Sequence, residues 1–169
     1  LSQAVVLAMP GVPGIYFHSL VGSRNYHEAV RKTRRNRAIN RERLNFDNIQ
    51  EELNEEGSLR NNLFKRYKQL ISIRIHEPCF DPFAKFEFLS LGKEIFAVKH
   101  YAKEGDDFLI ALHNFKNMEV EVDLSPYNGG ELMDIIAHQC HCKEHEKITM
   151  QPYEILWLKT FKQGEKKND

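Results

Sequence analysis

The 169-residue sequence is poor in cysteine, carries no net charge and has no long hydrophobic run. Three cysteines, an odd number, build no disulfide framework and point to a reducing cytoplasm rather than to secretion. Lys plus Arg and Asp plus Glu stand at 24 each, which argues against a nucleic-acid or membrane-surface protein. No apolar run is long enough to cross a bilayer, and no cationic segment precedes the apolar start, so neither a membrane helix nor a signal peptide is expected. Initiator methionine is absent too. Leu1-Ser2-Gln3-Ala4-Val5-Val6-Leu7-Ala8 reads as the last turns of an apolar helix, so the sequence is expected to be a C-terminal fragment of a larger protein.

What is present suffices for a core, with 41% hydrophobic residues against 28% charged. The zero balance hides an asymmetry. Residues 1–76 hold 13 Lys and Arg against 7 Asp and Glu, whereas residues 77–169 hold 11 against 17. The periodicity changes near the same place, which predicts two structural units.

In the first unit, Met9-Pro10-Gly11-Val12-Pro13-Gly14 must be a tight turn, and Ile15-Tyr16-Phe17-His18 reads as a short buried strand. Helix, turn and buried strand in that order make an αβ unit of a parallel sheet. A polar, arginine-rich stretch follows, with a short helix at Glu28–Thr33 and then Arg34-Arg35-Asn36-Arg37-Ala38-Ile39-Asn40-Arg41-Glu42-Arg43. Ile49 and Leu53 carry a helix over Asn48–Glu56, which Gly57 ends, and Ser58 caps the next. From Ser58 to Ile75, Leu59, Leu63, Tyr67, Leu70 and Arg74 recur at helical spacing.

From Pro78 onward the period is two. Met118, Val120, Val122 and Leu124 alternate with Glu119, Glu121 and Asp123, a strand with one wet face. Further strands are expected at 84–89, 95–101, 108–115, 131–137 and 153–160, separated by turn clusters. Together they make a small antiparallel sandwich. The fold class expected is α+β, the end of an α/β unit followed by an antiparallel β-domain. The expected boundaries are 1–76 for the α/β end, 77–162 for the β-domain and 163–169 for a charged tail.

The segment Met9-Pro10-Gly11-Val12-Pro13-Gly14-Ile15-Tyr16-Phe17 resembles the last barrel strand of the α-amylase superfamily, glycoside hydrolase family 13. Leu20-Val21-Gly22-Ser23-Arg24-Asn25 followed by Arg37-Ala38-Ile39-Asn40-Arg41 is similar to the sucrose phosphorylase branch, with its Gly-x-x-Asn loop and Arg-x-Ile-Asn-Arg motif. The helix end Leu70-Ile71-Ser72-Ile73-Arg74, with Pro78-Cys79-Phe80-Asp81-Pro82 after it, is similar to the family's junction into its C-terminal β-domain, and Phe80-Asp81-Pro82-Phe83-Ala84 resembles most the glucosylglycerate and sucrose 6-phosphate phosphorylase members. Leu109–Phe115 and Met150–Leu158 are similar to the family's β-domain strands. One departure is Ala38, where sucrose phosphorylases often carry a polar residue, and it bears on the acceptor sugar.

The resemblance implies that residues 1–76 are the end of a β/α barrel. It also implies a retaining glucosyl transfer between an α-glucoside (sucrose, sucrose 6-phosphate or glucosylglycerate) and phosphate, in a bacterial cytoplasm and without a cofactor. Such transfer needs two carboxylates about 5–5.5 Å apart. In this family they sit on earlier barrel strands, and no acidic residue lies in Leu1–Arg24, so the fragment alone is expected to be inactive. Its contribution is substrate binding. By resemblance Arg41 reaches the donor glucose and Arg37 is a neighbouring structural or anion contact, since a guanidinium offers five fixed donors. An ion pair holding loop to barrel is the alternative for Arg41. Beyond substrate and phosphate, the partners implied are the upstream barrel of the same protein and, with room left for it, a second copy.

Other residues have blander readings. Tyr16 and Phe17 fit barrel filling better than sugar stacking, and His18 fits a satisfied core histidine as well as a site residue. The run Arg31-Lys32-Thr33-Arg34-Arg35 would suit RNA, but Glu51, Glu52, Glu55 and Glu56 favour an ion-paired surface. His138, Cys140, His141, Cys142 and His145 offer five soft ligands in eight residues. Structural zinc sites draw pairs from two separated segments, and no second segment offers cysteine pairs, so no metal is expected and the stretch reads as a loop between strands. Two rival functions remain: a hydrolase of the same superfamily with water as acceptor, and a carbohydrate-binding β-sandwich without catalysis.

Overall fold

Alternating apolar residues give the second half its strands. In the computed structural model, which describes residues 1–127, 131–142 and 147–160, eight strands form two antiparallel sheets. The strands are β1 (Phe86–Leu89), β2 (Ile95–Tyr101), β3 (Phe108–Asn114), β4 (Val120–Asp123), β5 (Leu132–Asp134), β6 (Gln139–Cys142), β7 (Lys147–Met150) and β8 (Ile155–Thr160). The larger sheet has the order β1-β2-β3-β8-β5-β6, and β4 pairs with β7 in the smaller one. The period-two pattern therefore sends one set of side chains between the sheets. Ile95, Ala97, Ile110, Leu112, Leu132, Leu156 and Leu158 of the larger sheet meet Val122, Ile148 and Met150 of the smaller in one buried cluster.

The opposite face of the larger sheet carries Val98, His100, Leu109, Ala111 and Trp157, with Ala111 and Trp157 directly opposed across the ladder. Phe80 packs edge-on there, its ring centroid 4.9 Å from His100 and 4.8 Å from Trp157. The buried Asp134 carboxylate accepts main-chain N–H bonds from Ile136 (3.1 Å), Ala137 (3.0 Å) and Trp157 (3.1 Å), pinning the turn after β5 to β8. Cys79, also buried, is a free thiol whose own N–H donates to Glu77 Oε1 at 3.1 Å, while Glu77 pairs with Lys159 at 3.0 Å.

Helices occupy the first half: α1 (Ser2–Ala8), α2 (Phe17–Leu20), α3 (His27–Thr33), a 3-10 helix (Asn36–Asn40), α4 (Phe46–Asn54) and α5 (Leu59–His76). Asn45 caps α4 through the Asn48 N–H at 3.0 Å, and Ser58 Oγ accepts from the Asn61 N–H at 3.0 Å at the start of α5. Between these helices Gly57 takes φ +85, the left-handed conformation that stops one helix before the next begins.

The chain divides into two compact units, Leu1–Pro13 with Leu70–Asp169, and Gly14–Gln69. Charge and periodicity change near residue 76, whereas this division falls inside α5, because the last turns of that helix and all of α1 anchor in the β-rich unit. Arg74 donates to the carbonyl oxygens of Leu7 and Gly11, and His100 Nε2 lies 2.8 Å from that of Ala8.

Two local expectations need correction. Ile15–His18 is not a strand: residues 12–16 lie outside regular structure, Phe17 opens α2, and Ile15, Tyr16 and Phe17 are 40%, 46% and 54% exposed. A single apolar segment cannot close a ladder by itself, and every ladder among the described residues is antiparallel and lies elsewhere. The stretch read as a loop at His138–His145 supplies β6 instead, since Cys142 and Cys140 register with Leu132 and Met133. The possible metal ligands from Cys140 onward lie outside the described side chains, and His138 stands exposed at φ 56. Among the described residues no cluster of His, Cys, Asp or Glu could hold a metal, and no helix is long and apolar enough to cross a membrane.

Candidate functional site

The arginine-rich segment lies within the unit Gly14–Gln69 and is shaped by main-chain hydrogen bonds rather than by a core. Helix α3 ends at Arg34, whose φ of 50 is left-handed and turns the chain back. The 3-10 helix Asn36–Asn40 then packs against α3. The Tyr26 N–H donates to the Ile39 carbonyl at 2.6 Å, and the Arg41 N–H donates to that of Ala38 at 3.2 Å. Tyr16 adds a side chain from well outside the segment, its phenol donating to the Asn40 carbonyl at 2.7 Å.

Arg37 sits inside the 3-10 helix and Arg41 caps it, and both side chains are exposed. Among the described residues neither guanidinium is in an ion pair. Four residues apart on one short turn, they offer donors without acceptors, which suits sugar hydroxyls and anions. The neighbouring basic run is not neutralised by the acidic one, as charge alone had suggested. Lys32 pairs with Glu28 at 2.6 Å within α3, and Glu52 pairs with Arg60 at 2.9 Å. Spacing of i,i+4 within α3 gives Lys32 its partner Glu28, while Glu52 of the acidic run is taken by Arg60 on α5.

His18 lies beside Tyr16 and Phe17, with ring centroids 5.3 and 5.9 Å away. Its buried Nδ1 has no hydrogen-bond partner among the described residues, and nor has Ser23 Oγ, so it is not the satisfied core histidine of the bland reading. In the β-rich unit His100 Nε2 meets the Ala8 carbonyl at 2.8 Å, whereas His113 Nδ1 lies 3.4 Å from the Phe96 carbonyl and its buried Nε2 has no hydrogen-bond partner among the described residues. Burial lowers the pKa of His100 and drives that of His113 down to about 4. Their roles escaped sequence reasoning because their partners, Ala8 for His100 and Phe96 for His113, lie 92 and 17 residues away.

No family model matches the chain. It is 31% identical, over 95% of its length, to a glucosylglycerate phosphorylase of Spirochaeta thermophila, and covers 29% of that protein. To a glucosylglycerate phosphorylase of Escherichia coli it is 30% identical over 94% of its length, covering 27%. The chain thus spans less than a third of these curated relatives. In structure it matches AmyP in complex with maltotriose with a TM-score of 0.74 at 18% identity, over 94% of this chain and 33% of that one. An Anoxybacillus α-amylase matches with a TM-score of 0.70 at 15% identity, over 96% and 32%. At those identities the structures establish the fold, while the sequence relatives establish kinship. The chain is therefore related to the glucosylglycerate phosphorylases and carries a fold shared with the α-amylase family, glycoside hydrolase family 13.

Proposed function

We propose that this chain is the C-terminal part of a retaining glucosyl-transferring enzyme of bacterial, cytoplasmic carbohydrate metabolism, a sucrose phosphorylase-like α-glucoside phosphorylase. The observation that carries the proposal is the kinship with glucosylglycerate phosphorylases along 95% of the chain. In this reading residues 1–76 close the barrel, residues 77–162 are the β-domain, and the catalytic carboxylates belong to the remainder of the protein. The 169 residues alone then transfer no glucosyl group.

Arg41 is the substrate contact, holding hydroxyls of the donor glucose, and Arg37 holds a neighbouring anion. In a double displacement one carboxylate of the enzyme attacks the anomeric carbon while a carboxylic acid protonates the departing alcohol. Phosphate then displaces the carboxylate, and the two inversions give net retention. The exposed guanidinium pair supports this assignment because phosphate and a glycerate carboxylate both match a planar fork of donors.

Activity of the whole enzyme on sucrose, sucrose 6-phosphate and glucosylglycerate, each with and without phosphate, tests the proposal. Formation of glucose 1-phosphate that depends on phosphate is expected. Equal release of free glucose in both conditions would identify a hydrolase, and binding of glucosides without turnover would identify a carbohydrate-binding module.

A further inference from the structure

We infer that Tyr16 is a positioning residue for Arg41, an inference that rests on the substrate-binding role proposed for that arginine. The peptide unit joining Asn40 to Arg41 is held at both ends. Its carbonyl accepts the Tyr16 phenol at 2.7 Å, and its N–H donates to the Ala38 carbonyl at 3.2 Å. A planar peptide fixed at both its oxygen and its nitrogen has lost rotation about its flanking bonds. The next carbonyl back, that of Ile39, is held by the Tyr26 N–H at 2.6 Å. Arg41 therefore leaves the 3-10 helix from a fixed Cα, although its guanidinium is exposed.

Of these three bonds, only the one from Tyr16 depends on a side chain, and it reaches across 24 residues of sequence. The other two persist whatever the side chains. Tyr16 is thus the point at which sequence controls the aim of Arg41. An aimed guanidinium holds its ligand with less loss of side-chain freedom than a wandering one.

The test is a double-mutant cycle in the whole enzyme, using Tyr16→Phe, Arg41→Lys and the pair. Tyr16→Phe keeps the ring and removes only the donor. It should lower kcat/KM about three- to tenfold, moving the same kinetic constant as Arg41→Lys, with the melting temperature unchanged. If Tyr16 acts through Arg41, the pair should fall within about twofold of Arg41→Lys alone. Effects that multiply would show an independent role for Tyr16 and overturn the inference. A silent Tyr16→Phe beside an impaired Arg41→Lys would overturn it while leaving the substrate-binding reading intact. A silent Arg41→Lys would remove both.

Discussion

Arg74, on the last turns of α5, donates through its guanidinium to the main-chain carbonyl of Leu7, at the end of α1. The same fork reaches the Gly11 carbonyl at 2.6 Å, and its carbon lies 4.8 Å from the centre of the Phe80 ring. Helix α1 has seven residues and no side-chain cap at its start, so it is too short to stand by itself. Its terminal carbonyls instead receive Arg74 and His100, both buried. A buried guanidinium is costly unless its donors are used, and here those of Arg74 satisfy the Leu7 and Gly11 carbonyls.

Removing that fork should unfasten α1. Arg74→Met keeps the length and apolar stem but leaves two carbonyls unpaired, at a cost of about 2–4 kcal/mol. Urea unfolding should show the loss, and Arg74→Lys should recover less than half of it because one ammonium cannot span both carbonyls. A midpoint unchanged in Arg74→Met would mean that water replaces the guanidinium.

His113 should make stability fall in acid. Burial disfavours its charged form and holds its pKa at about 4, below the ordinary 6.5, against the opposing pull of the Phe96 carbonyl. The unfolded chain takes up the proton first as pH drops. The contribution is therefore complete above pH 6.5, is lost on the way down to about 4, and amounts to about 3 kcal/mol. Unfolding free energies at pH 7, 5 and 4 should decline less steeply in His113→Gln. Parallel declines would assign the acid sensitivity to other groups, of which His100 shifts in the same direction.

Asp134 serves three main-chain donors with one side chain. Asp134→Ala leaves the buried Trp157 N–H unpaired, frees the two partly buried turn N–H groups, and should destabilise by about 2–4 kcal/mol. Near-ultraviolet circular dichroism, which reports the packing of the single tryptophan, should change in the same variant. An unaltered spectrum would place the turn after β5 outside the Trp157 environment.

For the whole enzyme, Arg41→Lys should lower kcat/KM about 10–150-fold, the equivalent of one charge-assisted hydrogen bond. Arg43, exposed and two residues on, is the control, and Arg43→Ala should change kcat/KM less than about threefold. Equal small effects at both positions would take Arg41 out of the site.

Much of this was legible where a period is long enough to count. The spacing of Leu63, Tyr67, Leu70 and Arg74 announced α5, and the alternation of Val120 and Val122 announced β4. Gly57 and Ser58 marked the helix boundary because each acts through its own backbone or its nearest neighbours. Illegible were contacts between distant segments. Nothing near Ala8 reveals His100, and nothing near Arg41 reveals Tyr16. The four residues Ile15–His18 have an apolar character that fits a strand, but a strand is a property of a pair, and the sequence of one member is silent about the other. Strand β6 was missed because its residues show no aliphatic alternation, and β7 because the four alternating residues Lys147-Ile148-Thr149-Met150 are too few to count a period. For Arg37 and Arg41 residue type and motif were readable, whereas the bonds that hold their backbone were not.

The buried Cys79 gives the β-rich unit a chemical clock. Burial, with Glu77 adding to it, raises the thiol to about 12, so at neutral pH only about one molecule in 10⁵ carries the nucleophilic thiolate. An alkylating reagent must wait until Cys79 is exposed, at which point its acidity becomes ordinary. The rate at which this residue gains mass in peptide-resolved labelling then counts the openings that expose Cys79, without a spectroscopic probe and without knowledge of the substrate.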